Sequence, residues 1–173
     1  PIVDICFDKA EEISFEYDGK YRPLVHFTAA KGWINDPNGL VYANGKYLMY
    51  FQHNPVATTW ENMHWGGAFS EDLIHWKEFG DVLFPDKDGT MFSGCAIIDK
   101  DNRCDFQQDD TPVILYYYTS AGHTSETSKH KPFTQCLAYS TDGGKTLIKY
   151  DKNPIIENLA YENRDPKVIY YSP

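Results

Sequence analysis

Leu40-Val41-Tyr42-Ala43-Asn44-Gly45-Lys46-Tyr47-Leu48-Met49-Tyr50-Phe51 is the stretch that decides the fold. Asn44-Gly45 between two short apolar runs is a strong hairpin signal, because both turn positions tolerate the positive φ that a tight hairpin turn needs. The same pattern repeats further along. Residues 65–70 and 75–79 flank a polar link through Glu71 and Asp72. Residues 94–99 and 113–119 flank a longer polar loop through Asn102 and Asp110. Residues 136–140 and 146–150 flank Asp142-Gly143-Gly144, and 166–171 reads as the start of one more strand. Helical periodicity is confined to a hint at residues 9–14, inside a leading segment over 1–25. The chain reads as all-β.

Two weak repeats give the hairpins an arrangement. Ala68-Phe69-Ser70-Glu71-Asp72 and Ala138-Tyr139-Ser140-Thr141-Asp142 both read Ala-aromatic-Ser-x-Asp, with their serines 70 positions apart. A second series starts strands on a polar residue: Asp36 before Pro37-Asn38-Gly39-Leu40-Val41-Tyr42, Ser93 before Gly94-Cys95-Ala96-Ile97-Ile98, and Asp165 before Pro166-Lys167-Val168-Ile169-Tyr170. The steps of 57 and 72 residues suit one four-stranded unit each. That spacing predicts a β-propeller, in which the inner strand of every blade starts at the same mouth. Asp36 and Asp165, 129 positions apart, would then converge; a sandwich of the same hairpins gives them no reason to meet.

Bulk composition excludes several classes. A length of 173 residues, 42% hydrophobic and 24% charged, suits a globular chain with a real core. The apolar runs are strand-sized and too short to cross a bilayer as a helix. Sixteen basic against 25 acidic residues give a formal charge of −9 without a basic cluster, so neither nucleic acid nor a membrane is an expected partner. Aromatic residues reach 16%, which fits strand packing and sugar stacking equally well. Cys6, Cys95, Cys104 and Cys136 form no Cys-x-x-Cys pair and read as buried or free thiols. The histidines lack ligand spacing, and Ser93 has no His-Asp partners in the sequence. No metal or organic cofactor is implied.

Trp33-Ile34-Asn35-Asp36-Pro37-Asn38-Gly39, then Phe92-Ser93-Gly94, then Arg164-Asp165-Pro166 resemble, in order and spacing, the signatures of glycoside hydrolase family 32, the levanase, inulinase and invertase group. Gln52, Trp60 and Met63-His64-Trp65-Gly66 extend the match, which covers residues 26–173. The resemblance implies a five-bladed propeller of which this chain supplies the first two-plus blades. It implies a retaining hydrolase releasing fructose from β-fructofuranosides, namely fructans such as levan or inulin, with sucrose as a further candidate. Asp36 would be the nucleophile and Asp165 the transition-state stabiliser. Asn35, Gln52, Ser93 and Arg164 would bind fructose, with Trp60 and Phe92 as the apolar wall. The chemistry is consistent: a fixed carboxylate stabilises an oxocarbenium-like transition state, and Arg164 would help keep Asp165 ionised.

Taken alone, Asp36 could be a turn aspartate and Asp165 a strand cap, while Trp60 and Phe92 are ordinary core candidates. Trp65 and Trp76 read as packing. The family's general acid, a glutamate before a cysteine on a later blade, has no counterpart here, so the chain reads as the N-terminal part of a longer catalytic domain whose remainder is a candidate partner. Ile34, Cys95 and Asn163 depart from the family's usual methionine, serine and aromatic. Met63-His64-Trp65-Gly66 and the segment through Gly144 favour the levanase and exo-inulinase branch. The competing expectations are a fructan-binding protein without catalysis and a related propeller glycosidase acting on arabinan or xylan. A polymeric substrate argues for an extracellular or periplasmic site of action and leaves the cytoplasm open.

Overall fold

The computed structural model describes residues 19–171, so Cys6 and the helical hint at 9–14 lie outside the described residues. Among the described residues eight strands follow in chain order: β1 (Trp33–Ala43), β2 (Lys46–Asn54), β3 (His64–Ser70), β4 (Trp76–Leu83), β5 (Thr90–Asp99), β6 (Val113–Ala121), β7 (Phe133–Ser140) and β8 (Ile148–Lys149). They form two antiparallel meanders, β1-β2-β3-β4 and β5-β6-β7-β8. These are two four-stranded blades, in agreement with the propeller expected from the repeats. The one helical element among the described residues is a single 3-10 turn, Glu126–Ser128.

Local chemistry explains the turns. Asn44 and Gly45 have φ of 51° and 77°, the left-handed pair that the β1–β2 hairpin requires. The Ala-aromatic-Ser-x-Asp repeat is one device used twice, closing the third strand of each blade. Ser70 Oγ and Ser140 Oγ, both buried, donate to Asp72 Oδ1 and Asp142 Oδ1 at 3.1 and 2.7 Å. The aspartates in turn accept backbone N–H groups of the outgoing chain, from Ile74 and His75 in one blade and Lys145 and Thr146 in the other. Capture of Lys145 and Thr146 by Asp142 makes them turn residues. It leaves β8 shorter than the 146–150 expected from the sequence.

The blades share one core. Leu48, Tyr50, Trp65, Phe69 and Leu83 of the first pack with Met91, Ala96, Ile114, Tyr116, Tyr118, Cys136 and Ala138 of the second. β6 is buried on both faces, since Val113 and Leu115 join a second cluster with Leu137 on the far side. This accounts for its unbroken apolar run. A polar stitch crosses the junction. Tyr50 donates its hydroxyl to the Gly144 carbonyl at 2.7 Å and accepts one from Tyr116 at 2.8 Å. Burial raises the pKa of both phenols, so both stay protonated. Trp65 is fully buried, as read, and Trp76 packs beside Phe27 at the outer edge of the first blade. Cys95, Cys104 and Cys136 are free thiols, the first and last of them buried.

His53 ties the chain ahead of β1 to the sheet. Its Nδ1 lies 2.6 Å from Asp81 Oδ1 and its Nε2 lies 3.0 Å from the Lys31 carbonyl. Both neighbours are acceptors, so only the imidazolium, with two N–H groups, satisfies both. Burial opposes that charge. The Asp81 and Lys31 hydrogen bonds, with the charges of Asp81 and Glu78, outweigh it and raise the pKa. A folded pKa above the unfolded value of about 6.5 gives stability that is fully present below that pH and lost as pH climbs through the folded value. Urea unfolding across this range is expected to show the loss in the wild type, and His53→Gln is expected to lack the step.

Residues 166–171 do not form the further strand expected from the sequence. This segment runs beside the start of blade two, with Val168 N–H directed at Cys95 Sγ at 3.1 Å, but pairs with no strand among the described residues. An extended segment becomes a strand only through a ladder partner.

Candidate active site

Two bulges build the site. β1 is in register with β2 at Asn35↔Gln52 and again at Pro37↔Phe51, so Asp36 has no partner across the ladder. β5 is in register with β6 at Phe92↔Thr119 and again at Gly94↔Tyr118, so Ser93 is the extra residue there. A bulge turns its extra side chain out of the strand's alternation. Pro37 suits one because it has no N–H to give a ladder. The bulges meet at the blade junction. Ser93 Oγ donates to Asp36 Oδ2 at 2.8 Å, and the Gly94 N–H donates to Asn38 Oδ1 at 3.2 Å. Position 94 has to be glycine, since a Cβ there would overlap the Tyr117 carbonyl.

Asp165 arrives from the segment after β8. Its φ is 62°, in the left-handed region, where a non-glycine residue costs about 1–3 kcal/mol. A buried relay from blade two holds it there. The Asp165 N–H donates to Thr119 Oγ1 at 3.0 Å, Thr119 donates to Gln135 Oε1 at 2.7 Å, and Gln135 Nε2 donates to the Asn163 carbonyl at 2.8 Å. The Asn163 side chain closes the turn by accepting from the Leu159 and Ala160 N–H groups at 3.1 and 3.4 Å. Asn163 thus serves as a structural residue of this turn. Thr119→Val removes the acceptor but keeps the shape. It is expected to loosen the turn that holds Asp165, read as faster amide hydrogen exchange at that residue, and Thr119→Ser is expected to restore the protection.

All eight residues singled out in the sequence, Asn35, Asp36, Gln52, Trp60, Phe92, Ser93, Arg164 and Asp165, line one cavity of about 420 Å³. Gln52 is 2% exposed and its Nε2 has no hydrogen-bond partner among the described residues, leaving a buried donor at the cavity wall. Trp60 is 54% exposed, so it is no core residue. Its ring lies 5.7 Å from Phe92, and Phe92 lies 5.5 Å from Phe133, which stacks on His123 at 5.0 Å. These rings form a continuous apolar wall.

His123, Thr124, Phe133 and Glu162 also line the cavity and carry no motif. For the first three, topology was the available signal. β6 runs back to the mouth where β5 starts, so the β6–β7 connection must lie there. Glu162 is the cavity's third carboxylate and pairs with Arg164 at 2.9 Å and His123 at 3.6 Å.

The family model described as Glycosyl hydrolases family 32 N-terminal domain matches residues 26–173. The chain belongs to glycosyl hydrolase family 32. Among its relatives in that family, the levanase of Bacillus subtilis (strain 168) is 40% identical over 98% of this chain and 24% of its own length. The extracellular exo-inulinase of Aspergillus niger is 38% identical, over 98% of this chain and 35% of its own. The crystal structure of the exo-inulinase from Aspergillus awamori superposes with a TM-score of 0.77 at 39% identity, covering 87% of this chain and 33% of that one. The chain thus spans about a quarter to a third of the length of the family 32 proteins it matches.

Arg164 helps to keep Asp165 ionised, as expected, but does not outweigh burial: its Nε stands 3.8 Å from Asp165 Oδ2 while its NH1 is engaged by Glu162 at 2.9 Å. Burial raises the Asp165 pKa and the Asp36 charge adds to the rise. Arg164 only partly opposes them.

Proposed function

We propose that this family 32 chain is the N-terminal part, from residue 26 onward, of the catalytic domain of a retaining β-fructofuranosidase that acts on fructans outside the cytoplasm. The observation that carries this reading is the cavity itself. It gathers Asp36 and Asp165 from opposite ends of the described chain, beside an unpartnered buried amide and an aromatic wall. Asp36 attacks the anomeric carbon with Ser93 steadying one of its oxygens. Asp165, fixed through its own backbone, offers negative charge to the fructosyl cation as the bond to the leaving group breaks. Trp60 and Phe92 cover the apolar side of the ring, and Gln52 and Asn35 take its hydroxyls. The proton for the leaving group comes from a carboxylic acid spaced for retention, about 5–5.5 Å from the nucleophile, on a later blade.

Fructose release from levan, inulin and sucrose by the full-length protein tests this. Turnover of a fructan is the expected result. A correctly folded full-length protein that binds fructan but releases no fructose would turn the reading into one of binding alone.

The raised Asp165 pKa also fixes a pH dependence. Asp165 acts ionised, so the acid limb of kcat/KM is expected above the ordinary carboxylate value of about 3.9. Arg164→Gln removes the one charge that lowers it, so the limb moves to still higher pH. A limb that stays put would show that Asp165 does not control it.

A further inference from the structure

A second cavity, of about 460 Å³, opens on the blade-two side of the same mouth. Its floor is the face of β6 and β7 that carries Tyr118, Ser120 and Thr134, and the link between β4 and β5 forms a wall. Ser120 is 2% exposed, yet its hydroxyl has no hydrogen-bond partner among the described residues. A buried hydroxyl left without a partner is costly, so most such groups are satisfied. Here the free donor and acceptor sits at the bottom of a polar cavity large enough for a sugar unit.

The three lysines around it are already matched to carboxylates. Lys149 Nζ donates to Asp86 Oδ2 and to the Phe84 carbonyl, both at 2.6 Å. Asp88 takes Lys87 at 3.0 Å and Lys131 at 3.2 Å. Asp151 and Glu157 add two further carboxylates to the lining, so the walls do not select an anion. Carboxylate oxygens retain lone pairs that can accept further hydroxyls. A neutral polyhydroxylated ligand meets both the walls and the floor.

The two cavities share a wall. Phe133 lines the first, and its chain neighbours Pro132 and Thr134 line the second. We propose that the second cavity is a saccharide subsite that takes a stretch of a neutral fructan chain away from the scissile bond, with Ser120 as a hydrogen-bonding residue. This rests on the function proposed above. The subsite favours long chains over sucrose, which is too short to bridge both cavities.

Ser120→Ala in the full-length protein is the test. Removing an unpartnered buried hydroxyl should not lower the unfolding temperature, which serves as the control for folding. With long-chain inulin and levan, KM is expected to rise about threefold to tenfold, the size of one lost hydrogen bond. KM for sucrose and kcat for all three are expected to hold. Equal KM changes for polymer and sucrose, or none, would overturn the subsite while leaving the hydrolase intact. If no substrate is turned over, the functional reading fails, and calorimetry of inulin binding to wild type and Ser120→Ala then decides the cavity alone. Weaker binding in the variant supports it, and equal or absent binding overturns it.

Discussion

Asp36→Ala in the full-length protein is expected to stop fructose release from levan, inulin and sucrose, with kcat falling roughly 10⁴- to 10⁶-fold, the scale on which an enzyme loses its nucleophile. The fold should survive. Asp36 is exposed, it is the extra residue of a bulge, and Ser93, which donates to it, can turn to water instead. KM should change less than kcat, since Gln52, Trp60 and Phe92 remain to hold the sugar. Circular dichroism and fructan binding like those of the wild type, with turnover gone, would separate lost chemistry from lost structure. Activity within tenfold of wild type would remove Asp36 from the reaction.

Trp65→Ala is expected to cost about 3–5 kcal/mol of folding free energy, the range for a fully buried aromatic. A typical domain has about 5–15 kcal/mol in total, so this one change takes a large share. Trp65 is 0% exposed and packs on Tyr50 of its own blade and on Tyr116 and Tyr118 of the next, at 6.0, 6.5 and 6.4 Å between ring centroids. Its indole N–H donates to the Phe92 carbonyl at 3.0 Å, one residue before Ser93. The loss therefore opens the blade junction at the point where the second bulge is held. Urea unfolding measures the cost, and KM for a fructan should rise alongside it. A cost below about 1 kcal/mol, the usual size of a surface change, would mean that the two blades do not depend on this contact.

Much of this architecture was legible in the residues, for physical reasons. Asn44-Gly45 announces its hairpin because few residue pairs accept φ of 51° and 77° in succession. Ser-x-Asp appears twice because each blade closes its third strand with the same side-chain-to-backbone bonds. The polar strand starts led to Asp36, Ser93 and Asp165, which the structure gathers in one cavity.

The bulges were not legible. An extra residue breaks the period-two pattern by which strands are recognised, so the sequence starts these strands at Asp36 and Ser93, although β1 begins at Trp33 and β5 at Thr90. The relay through Thr119 and Gln135 was hidden for another reason. Both sit in strands where a polar residue reads as an isolated exception, and the bonds that explain them span 46 and 28 positions. Arg164 beside Asp165 in sequence suggested a charge pair, which the structure contains at 3.8 Å; what the sequence did not show is that Glu162 takes the closer contact and that burial outweighs the pair in setting the pKa of Asp165.

The most direct test is to quench the full-length protein during turnover of a fructan and analyse the peptide that contains Trp33 to Gly39 by mass spectrometry. A fructosyl unit attached through Asp36, present with substrate and absent after turnover is complete, is the predicted result. Steady release of fructose with that peptide unmodified at every time, and the adduct on another residue or on none, would contradict the assignment.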